Sequence, residues 1–442
     1  MAVVSNIHIG LAAWTGSGTS YTAGQRRSNG SNAYQCVTSG TGAASGGPTG
    51  TGLLIQDNTA WWTYLSSIDY TALGPFITAL PTTTFSQSYT AQIWNDGVDQ
   101  PVLGASADYI DISNGQAPTA TYPLLITAAP GESFCDTLHN NPQGATALSY
   151  NTSNGIAVSM ASMTGPAILF YVAVPYTTIS RLQLIDTNST INNTVVVAGT
   201  GATNFALDSC ILDSYAQSDG QAFYNAGPTG VRVRNCLFVD RQSSGGTYSH
   251  VYLDVGSTTT LCNCTFVNVN NATGAYSIAT VGTVVGMTVV SNCGFFGTLG
   301  VGSPNTVGAT TVDHSVFSAS ALDGNSTNGT GNLFSKTASN NFVAATTDFR
   351  LKNKSADCYN AGTVQSTYVP SLKDIAGTPR PQAGSWDVGC WEFLVPLVYR
   401  RNLTRLRMKH LRNADPRDLA RRDWDRLADH FRDGQIAGRP WI

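Results

Sequence analysis

The chain has 442 residues, of which 12% are charged, about half the usual share, while 44 are glycine. Glutamate occurs only at Glu132 and Glu392, and lysine occurs five times, so a mostly helical fold is excluded. A hydrophobic fraction of 42% excludes general disorder. The net charge of −3 divides into +6 for residues 400–442, with 12 basic and six acidic side chains, and −9 for residues 1–399, with 12 basic and 21 acidic side chains.

Residues 1–66 are rich in glycine and aromatic side chains and predict a small β module. The alternating stretch 32–37 predicts one strand, and residues 57–65 contain three aromatic rings. The region resembles a small β module that recurs in phage tail and fibre proteins and is itself similar to carbohydrate-binding modules. The resemblance implies that exposed rings stack on sugars, and the alternative is that the rings are the module's only core. The glycan-binding candidates are Trp14, Tyr21, Trp61 and Trp62.

Residues 67–395 predict the main domain, which begins with a short amphipathic helix. The stretch from Asp69 to Leu80 places four apolar side chains on one helical face. We expect this helix to cover the exposed end of the repeats that follow, because a repetitive fold needs capped ends. The four side chains are Leu73, Phe76, Ile77 and Leu80.

A short phrase recurs through the middle of the chain: a polar residue, a cysteine, one further residue and a large apolar residue. The four clear copies begin at Ser209, Asn235, Asn263 and Asn292. Weaker copies extend the series, so that the last apolar positions are 158, 184, 212, 238, 266, 295, 317 and 334. Most of these positions are about 22–29 residues apart, which is a period typical of a solenoid.

Each repeat consists of short alternating segments separated by Gly, Asn, Ser and Thr, and it leaves no room for a helix. A β-only coil of this length predicts an all-β chain folded as a parallel β-helix. We expect the four cysteines to stack as one inward column and the large apolar residues as a second. The polar residue before each cysteine suits a turn or a ladder of side-chain hydrogen bonds. The two columns are Cys210, Cys236, Cys264 and Cys293, and Leu212, Phe238, Phe266 and Phe295.

Two segments resemble the right-handed parallel β-helix proteins of phages and bacterial surfaces. The first runs from Asp69 to Asp96, DYTALGPFITALP…YTAQIWND, and the second from Asn332 to Glu392. The second departs from that family's ending at Asn360, where aspartate is common. The resemblance implies this fold for about residues 67–395, with the terminal Arg and Asp residues paired inside the last coil. Its matched positions are Asp348, Phe349, Arg350, Leu351, Ser355, Gly362, Asp374, Gly377, Arg380, Pro381, Asp387, Gly389 and Glu392.

Residues 396–442 predict a short, basic, α-helical tail. A first helix is expected from Asn402 to Arg412, and Asp415 followed by proline is a good start for a second helix over about 416–433. The second helix carries an apolar stripe that needs a partner, which is the last coil, a trimer axis or another protein. The candidates for docking a partner are Trp424, Leu427, Phe431, Arg421 and Arg422.

Weak candidates for catalysis lie two residues beyond the large apolar column. Asp186 and Asp240 fall there two coils apart, about 10 Å, which is near the upper limit for an inverting pair of glycosidase carboxylates. Asp213 lies close by in sequence and completes the set. The alternative is a repeated turn, because Asp, Asn, Ser and Gly in one column are also typical of turns.

The remaining sequence features predict no disulfide, no metal or cofactor, no membrane span and no nucleic-acid partner. The nine cysteines are odd in number and no secretory signal is visible, so we expect reduced, buried thiols rather than disulfides. No Cys/His grouping fits a metal, so we predict no metal and no cofactor. No apolar run approaches the roughly 18 residues of a membrane span. The basic tail could contact nucleic acid or an acidic surface, and we expect no nucleic-acid partner.

The resemblance implies a bacteriophage virion structural protein, a homotrimeric spike, fibre or capsid decoration assembled in the host cytoplasm. We expect one terminus, preferably the basic tail, to bind other virion proteins, and another surface to meet host polysaccharide. One alternative is a polysaccharide-degrading tailspike, acting as a glycoside hydrolase or lyase. A second alternative is a glycan-binding surface protein without catalysis.

Overall fold

The computed structural model describes residues 2–16, 18–96, 110–113, 115–142, 144–159, 168–186, 194–214, 221–240, 249–254, 256–269, 276–280, 288–297, 310–322, 326–365, 367, 369, 373–381 and 385–394. The chain divides into two units, Met1–Phe393 and Leu394–Ile442. The predicted tail helices lie outside the described residues, as do the docking candidates Trp424, Leu427, Phe431, Arg421 and Arg422.

Three long parallel sheets form the body of the first unit. A ten-stranded sheet contains β1 (Val3–His8), β8 (Tyr89–Trp94), β10 (Leu124–Ala128), β13 (Thr177–Ser180), β16 (Ala206–Asp208), β19 (Val231–Arg234), β22 (Thr259–Cys262), β25 (Thr288–Ser291), β27 (Thr310–Asp313) and β29 (Ser326–Asn328). A seven-stranded sheet contains β11 (Ala157–Ser159), β14 (Gln183–Asp186), β17 (Ile211–Ser214), β20 (Leu237–Asp240), β23 (Thr265–Asn268), β26 (Gly294–Phe296) and β28 (Val316–Phe317). A six-stranded sheet contains β9 (Ile110–Ile112), β12 (Ile168–Val172), β15 (Thr194–Ala198), β18 (Gln221–Asn225), β21 (Ser249–Leu253) and β24 (Tyr276–Thr280).

Successive coils place each strand beside its counterpart in the coil before. Through the central coils the chain visits the seven-, six- and ten-stranded sheets in turn and then returns to the first. Neighbouring strands in each sheet are parallel and about 4.8 Å apart. Parallel crossovers within one sheet are nearly always right-handed. The chain is therefore a right-handed parallel β-helix, and the fold class predicted from the sequence is confirmed for the described residues.

A two-residue corner joins the ten-stranded sheet to the seven-stranded sheet, and it explains the repeated asparagines. Its first residue has a positive φ in six coils, between 45° and 61°. Asparagine tolerates this left-handed conformation better than most residues. Asn292 Nδ2 donates to Asn263 Oδ1 at 3.1 Å, and Asn263 Nδ2 donates to Asn235 Oδ1 at 3.5 Å. The predicted turn and the predicted ladder are therefore both present.

The two predicted columns fill the interior. The four cysteines of the repeat are fully buried, and their thiols donate to backbone carbonyls, as Cys236 Sγ does to Arg234 O at 3.2 Å. The rings of Phe238, Phe266, Phe295 and Phe317 stack at 4.8 Å, close to one strand spacing. All nine cysteines of the chain are free and buried, as the sequence predicted.

The seven-stranded sheet is buried on both faces. Its outward side chains form a second core, against which α2 (Phe134–Asn140) and the described part of residues 335–393, here called the C-terminal segment, are packed. This explains why its strands are nearly continuous apolar runs. The C-terminal segment contains α3 (Ala338–Asn341), β30 (Phe342–Ala344) and β31 (Asp348–Leu351). The outward side chains are Ile211, Leu237, Val239, Val267, Phe296 and Val316.

The predicted cap helix is present as α1 (Leu73–Ala79). Its buried side chains Leu73, Phe76 and Ile77, followed by Leu80, join the interior core of the β-helix. A short 3-10 turn occupies Thr152–Asn154. No helix in the described parts of the chain combines the length and apolar character needed to cross a bilayer.

The N-terminal module is a separate antiparallel structure. Its sheet has the order β3-β4-β7-β6, and a two-stranded ribbon joins β2 to β5. Residues Val3–His8, which fall within the predicted segment 1–66, instead form β1 and pair with β8 of the ten-stranded sheet. The module's strands are β2 (Ser20–Tyr21), β3 (Arg26–Asn29), β4 (Asn32–Thr38), β5 (Gly40–Thr41), β6 (Ile55–Asp57) and β7 (Ala60–Ser67).

Candidate functional site

Two of the four predicted glycan-binding rings are core residues. Tyr21 is 1% exposed, Trp62 is 0% exposed, and their rings meet edge to face at 4.9 Å. They pack with Tyr34 and Cys36 into the small core of the module. A small β module has little else with which to build a core. The prediction that Tyr21 and Trp62 present a sugar platform is therefore wrong in this structure.

The other two rings, Trp14 and Trp61, are half-buried. Trp14 packs against the module core, and its Nε1 donates to Asp57 Oδ2 at 2.8 Å. Gly47 lies so close that an added Cβ would come 2.8 Å from the Trp14 ring. Trp14 therefore holds the loop that contains Gly47 in place. Trp61, beside buried Trp62 in β7, is the remaining candidate with part of its ring exposed.

The three candidate aspartates do not meet in a common groove. Asp186, Ser214 and Asp240 share one column of the seven-stranded sheet, as predicted. Asp213 lies beside Val239 on the opposite face, which the second core covers. Asp213 is 1% exposed and Asp240 is 0% exposed. Because alternate side chains point to opposite faces of a strand, Asp213 and Asp240 cannot act on one substrate.

The outer face of the six-stranded sheet presents a row of aromatic side chains that the sequence analysis did not predict. Tyr171, Tyr224 and Tyr252 lie in one outward register column and are half-buried, and we call their outward side chains the tyrosine surface. The neighbouring side chains in each strand point inward to the core. The column runs along the β-helix axis. Its full membership is Asp111, Tyr171, Val197, Tyr224, Tyr252 and Ala279.

A carboxylate organises the tyrosine surface. Tyr224 Oη donates to Asp254 Oδ2 at 3.0 Å, and the rings of Tyr224 and Tyr252 meet edge to face at 5.3 Å. Burial and the hydrogen bond to Asp254 raise the pKa of Tyr224 to about 12. Burial and the nearby Asp254 charge also raise the pKa of Tyr252. Both phenols therefore stay neutral at physiological pH and keep their hydroxyl protons for hydrogen bonding.

Polar groups border the tyrosine surface on the same sheet. Thr194 Oγ1 donates to Gln221 Oε1 at 2.8 Å in the neighbouring outward column. Gly199 leaves room for Tyr171, because an added Cβ would lie 2.8 Å from Tyr171 Oη. The arrangement combines flat apolar ring faces with amide, hydroxyl and carboxylate groups, which is the chemistry that holds sugars.

Ser66, His8 and Asp96 form a buried hydrogen-bonded chain where the module meets the β-helix. His8 Nε2 lies 2.7 Å from Ser66 Oγ, and His8 Nδ1 lies 3.0 Å from Asp96 Oδ1. The imidazole stacks on the Trp94 indole at 5.3 Å. Serine hydrolases use the same order of groups, but here His8 is 1% exposed and Ser66 is 7% exposed. We therefore assign this chain to holding the module on the β-helix.

A partly buried ion pair strengthens the same junction. Arg26 of β3 binds Glu132 through two nitrogens, at 2.8 and 2.9 Å, and donates to Asn95 O at 2.6 Å. Asp96 Oδ1 lies 3.9 Å from the Arg26 guanidinium. Burial raises the pKa of Asp96, while His8 and Arg26 oppose that shift. One of the two glutamates in the sequence thus serves a structural contact.

The predicted pairing of Arg and Asp near the end of the matched region is present between Arg350 Nη2 and Asp348 Oδ2, which lie 2.6 Å apart, and Arg380 pairs with a glutamate instead. Arg380 Nη1 lies 3.3 Å from Glu392 Oε2, and the guanidinium donates to the carbonyls of Asp387 and Gly389 at 2.8 Å. Burial raises the pKa of Asp374 to about 6, and burial with the Glu392 charge raises the pKa of Asp387 to about 7. Backbone amides satisfy these carboxylates. Across the described ranges, no three His, Cys, Asp or Glu side chains group as metal ligands.

A cleft of about 630 Å³ lies beside the edge of the seven-stranded sheet, against the start of the C-terminal segment. Its one charged side chain among the described residues, Lys336, pairs with Asp357 at 3.0 Å. No aromatic ring is among the described residues that line it, so the cleft offers no stacking face. Its hydroxyl lining is Ser318, Ser335, Thr337, Ser339 and Thr346.

Sequence reasoning missed the tyrosine surface because the segments before each tyrosine differ in length. Tyr171, Tyr224 and Tyr252 follow the apolar column positions 158, 212 and 238 by 13, 12 and 14 residues. A search for aromatic residues at this distance from the repeated cysteine phrase would have found the last two. The junction residues His8, Ser66 and Asp96 are far apart in the sequence and carry no local signal.

Comparisons with known proteins add little. No family model matches the chain, and no curated protein matches it. Among solved structures, the crystal structure of pectate lyase Pel9A matches with 12% sequence identity and a TM-score of 0.37. The match covers 73% of this chain and 91% of that chain. At this TM-score the likeness carries no argument, and the fold assignment depends on the chain's own strand pairings.

Proposed function

We propose that this β-helix protein binds polysaccharide through the tyrosine surface and does so as a structural protein. The observation that carries the proposal is the row of half-buried rings on the outer face of the six-stranded sheet, braced by Asp254. The column follows the β-helix axis, so Tyr171 and Tyr224, with Val197 between them, lie about 9.6 Å apart, and Tyr224 and Tyr252 lie about 4.8 Å apart. An extended glycan lying along the axis would meet successive rings.

The physical chemistry of the row supports binding. Ring faces of Tyr stack on the apolar faces of sugars, while hydroxyl and carboxylate groups take up the sugar hydroxyls. The rings sit on sheet strands rather than on loops, so they lose little conformational entropy when a glycan binds. The candidate aspartates Asp213 and Asp240 lie on opposite faces of the seven-stranded sheet, so together they do not form a catalytic pair for hydrolysis.

We also propose that the chain acts within a phage particle, as a homotrimeric spike, fibre or capsid decoration. The support is the resemblance of residues 69–96 and 332–392 to β-helix proteins of phages. Antibody labelling of intact particles by electron microscopy, with copy number from quantitative mass spectrometry, tests this part. Few copies at the tail mean a receptor-binding spike, and many over the head mean a decoration protein. Absence from purified particles would remove the virion part of the proposal.

The test of glycan binding is affinity electrophoresis of the full chain against a panel of bacterial and plant polysaccharides. We expect Tyr252→Ala to weaken binding by about tenfold, equivalent to roughly 1.4 kcal/mol, because a stacking ring is lost. Tyr224→Phe is the matched control, since it keeps the ring and removes only the hydrogen bond to Asp254. It should weaken binding less than Tyr224→Ala does.

A second control separates the tyrosine surface from the module. Trp61→Ala removes a half-buried ring in β7 and should leave binding unchanged. Circular dichroism verifies that each variant keeps its β structure. Binding that follows Trp61 and ignores both tyrosines would contradict the proposal, as would tyrosine variants that change only the oligomeric state.

A further inference from the structure

We propose that the N-terminal module docks on the surface of a lipid bilayer through two adjacent exposed leucines, Leu53 and Leu54. The segment that carries them, residues 43–54, is here called the leucine loop. The contact is with one face of the bilayer and involves no membrane-spanning segment. This proposal is independent of glycan binding, because it concerns another part of the molecule and another kind of ligand.

The two leucines are the most exposed large apolar side chains in the described parts of the chain. Leu53 is 81% exposed and Leu54 is 69% exposed. The next residue, Ile55, begins β6 and packs against the core of the module. The chain therefore turns one of three consecutive apolar side chains inward and leaves two in solvent, where each retains the unfavourable free energy of hydration.

Hydrogen bonds from the body of the module hold the middle of the leucine loop in place. Asn29 Nδ2 donates to Gly46 O at 2.7 Å and to Pro48 O at 2.9 Å. Tyr34 Oη donates to Gly50 O at 3.0 Å. These bonds fix the backbone of the loop immediately before the leucines.

The two ends of the leucine loop are fixed as well. The Ala43 amide donates to Asp57 Oδ1 at 2.9 Å, and the Tyr64 amide donates to Gly52 O at 3.1 Å. A loop held at both ends and in the middle keeps its leucines away from the module core. It also loses little conformational entropy when the leucines enter an apolar environment. The leucine loop thus presents its apolar side chains in advance of binding.

The sequence around the leucines carries no charge that would oppose entry into an apolar layer. Residues 28–56 contain no Asp, Glu, Lys, Arg or His. The charged residue that follows, Asp57, is 3% exposed, and its carboxylate accepts from Trp14 Nε1 at 2.8 Å. Moving an ion out of water is costly, and the leucine loop brings none with it.

The strands beside the leucine loop add side chains that suit the boundary of a bilayer. β6 pairs with β7 at Trp61, which is half-buried, and Val37, next to the partner of Trp61 in β4, is 40% exposed. Tryptophan is enriched at membrane–water interfaces. Protein–protein hot spots are instead rich in arginine and poor in leucine. Two leucines without a cation therefore favour a bilayer over a pocket on another protein.

The test is flotation of the full chain with vesicles of phosphatidylcholine, a lipid with no net charge. We expect Leu53→Ser and Leu54→Ser each to weaken partitioning by about tenfold or more, because each removes a buried leucine side chain. Val343→Ser is the matched control, since Val343 is 52% exposed in β30, and it should leave partitioning unchanged. Partitioning of the unaltered chain should be the same at about 0.05 and 0.5 M salt, because no ion pair is screened.

Four results would overturn the proposal. The first is no flotation of the full chain with phosphatidylcholine vesicles, and the second is equal flotation of the leucine variants. The third is flotation that requires phosphatidylserine and is lost in salt, which would assign the contact to basic residues. The fourth is a change of oligomeric state in either leucine variant without lipid, measured by light scattering, which would make a second copy of the chain the partner of the leucine loop.

Discussion

Single residues at the corner show how the chain turns sharply once per coil. Asn263 has φ of 54° and both donates to Asn235 and accepts from Asn292. A left-handed backbone costs an ordinary residue about 1–2 kcal/mol, and asparagine lowers this cost. The ladder then joins three successive coils through side chains as well as through strands.

We expect Asn263→Ala to lower the free energy of unfolding by about 3 kcal/mol, since it loses the buried ladder bonds and strains the backbone. Asn263→Gly is the matched control, because glycine adopts positive φ without strain and removes only the ladder. It should cost about half as much. Chemical denaturation measures both, and equal losses would mean that backbone strain contributes nothing here.

His250 is a buried titratable side chain in the interior of the β-helix, which is here called the shaft. It is fully buried and lies against the rings of Phe238 and Phe266, at 6.2 and 5.7 Å. Burial lowers its pKa from 6.5 to about 3. The folded protein therefore holds this imidazole neutral above about pH 3.

The lowered pKa of His250 predicts acid sensitivity. Between about pH 6.5 and pH 3, His250 binds a proton in the unfolded chain but not in the folded chain. The free energy of unfolding therefore falls as the pH falls. At pH 4 the loss should be about 3 kcal/mol. His250→Gln cannot titrate and should lose clearly less between pH 7 and pH 4 in the same denaturation experiment. Identical slopes for the two proteins would contradict this assignment.

At the scale of elements, the junction between module and shaft depends on one partly buried ion pair and one hydrogen-bonded chain. Arg26 of β3 and Glu132 before α2 are 14% and 11% exposed at their side chains, so water screens them little. Removing one partner of such a pair leaves the other charge poorly solvated.

We expect Glu132→Gln to loosen the module, with a cost of about 3 kcal/mol that falls on the junction rather than on the shaft. Limited proteolysis should then release the module earlier while the shaft unfolds as before. Asp136→Asn breaks the more exposed pair with Arg181 and serves as the control, with an effect under about 1 kcal/mol. Equal protease sensitivity in the two variants would show that Glu132 does not secure the module.

At the scale of the whole molecule, features that repeat once per coil could be predicted from the sequence. Sites built from unevenly spaced or distant residues could not. The cysteine and phenylalanine columns, the asparagine corner and α1 follow from local periodicity, because each coil repeats the same geometry. The tyrosine surface follows segments of unequal length, and the His8 junction joins residues 58 and 88 positions apart. The sequence left open whether the aromatic residues of the module form its core or bind glycan, because core rings and binding rings share one composition.

The C-terminal segment is an integral part of the shaft, because it covers the outer face of the seven-stranded sheet. Phe296 of that face packs edge to face on Phe342 at 4.7 Å, and Trp391 joins the same core. Ending the chain at Phe334 would expose an apolar face of several strands, which is the kind of surface that aggregates. We expect such a truncation to bind a hydrophobic dye and to precipitate.

Ending the chain at Phe393 is the matched control. This truncation keeps every side chain of the second core, so the shaft should unfold at the same denaturant concentration as the full chain. Light scattering of the two proteins then isolates what residues 394–442 add. A trimeric full chain and a monomeric, equally stable truncation would assign trimerisation to the tail. A trimer in both would assign it to the shaft, and precipitation of the control would show that the second core does not end at Phe393.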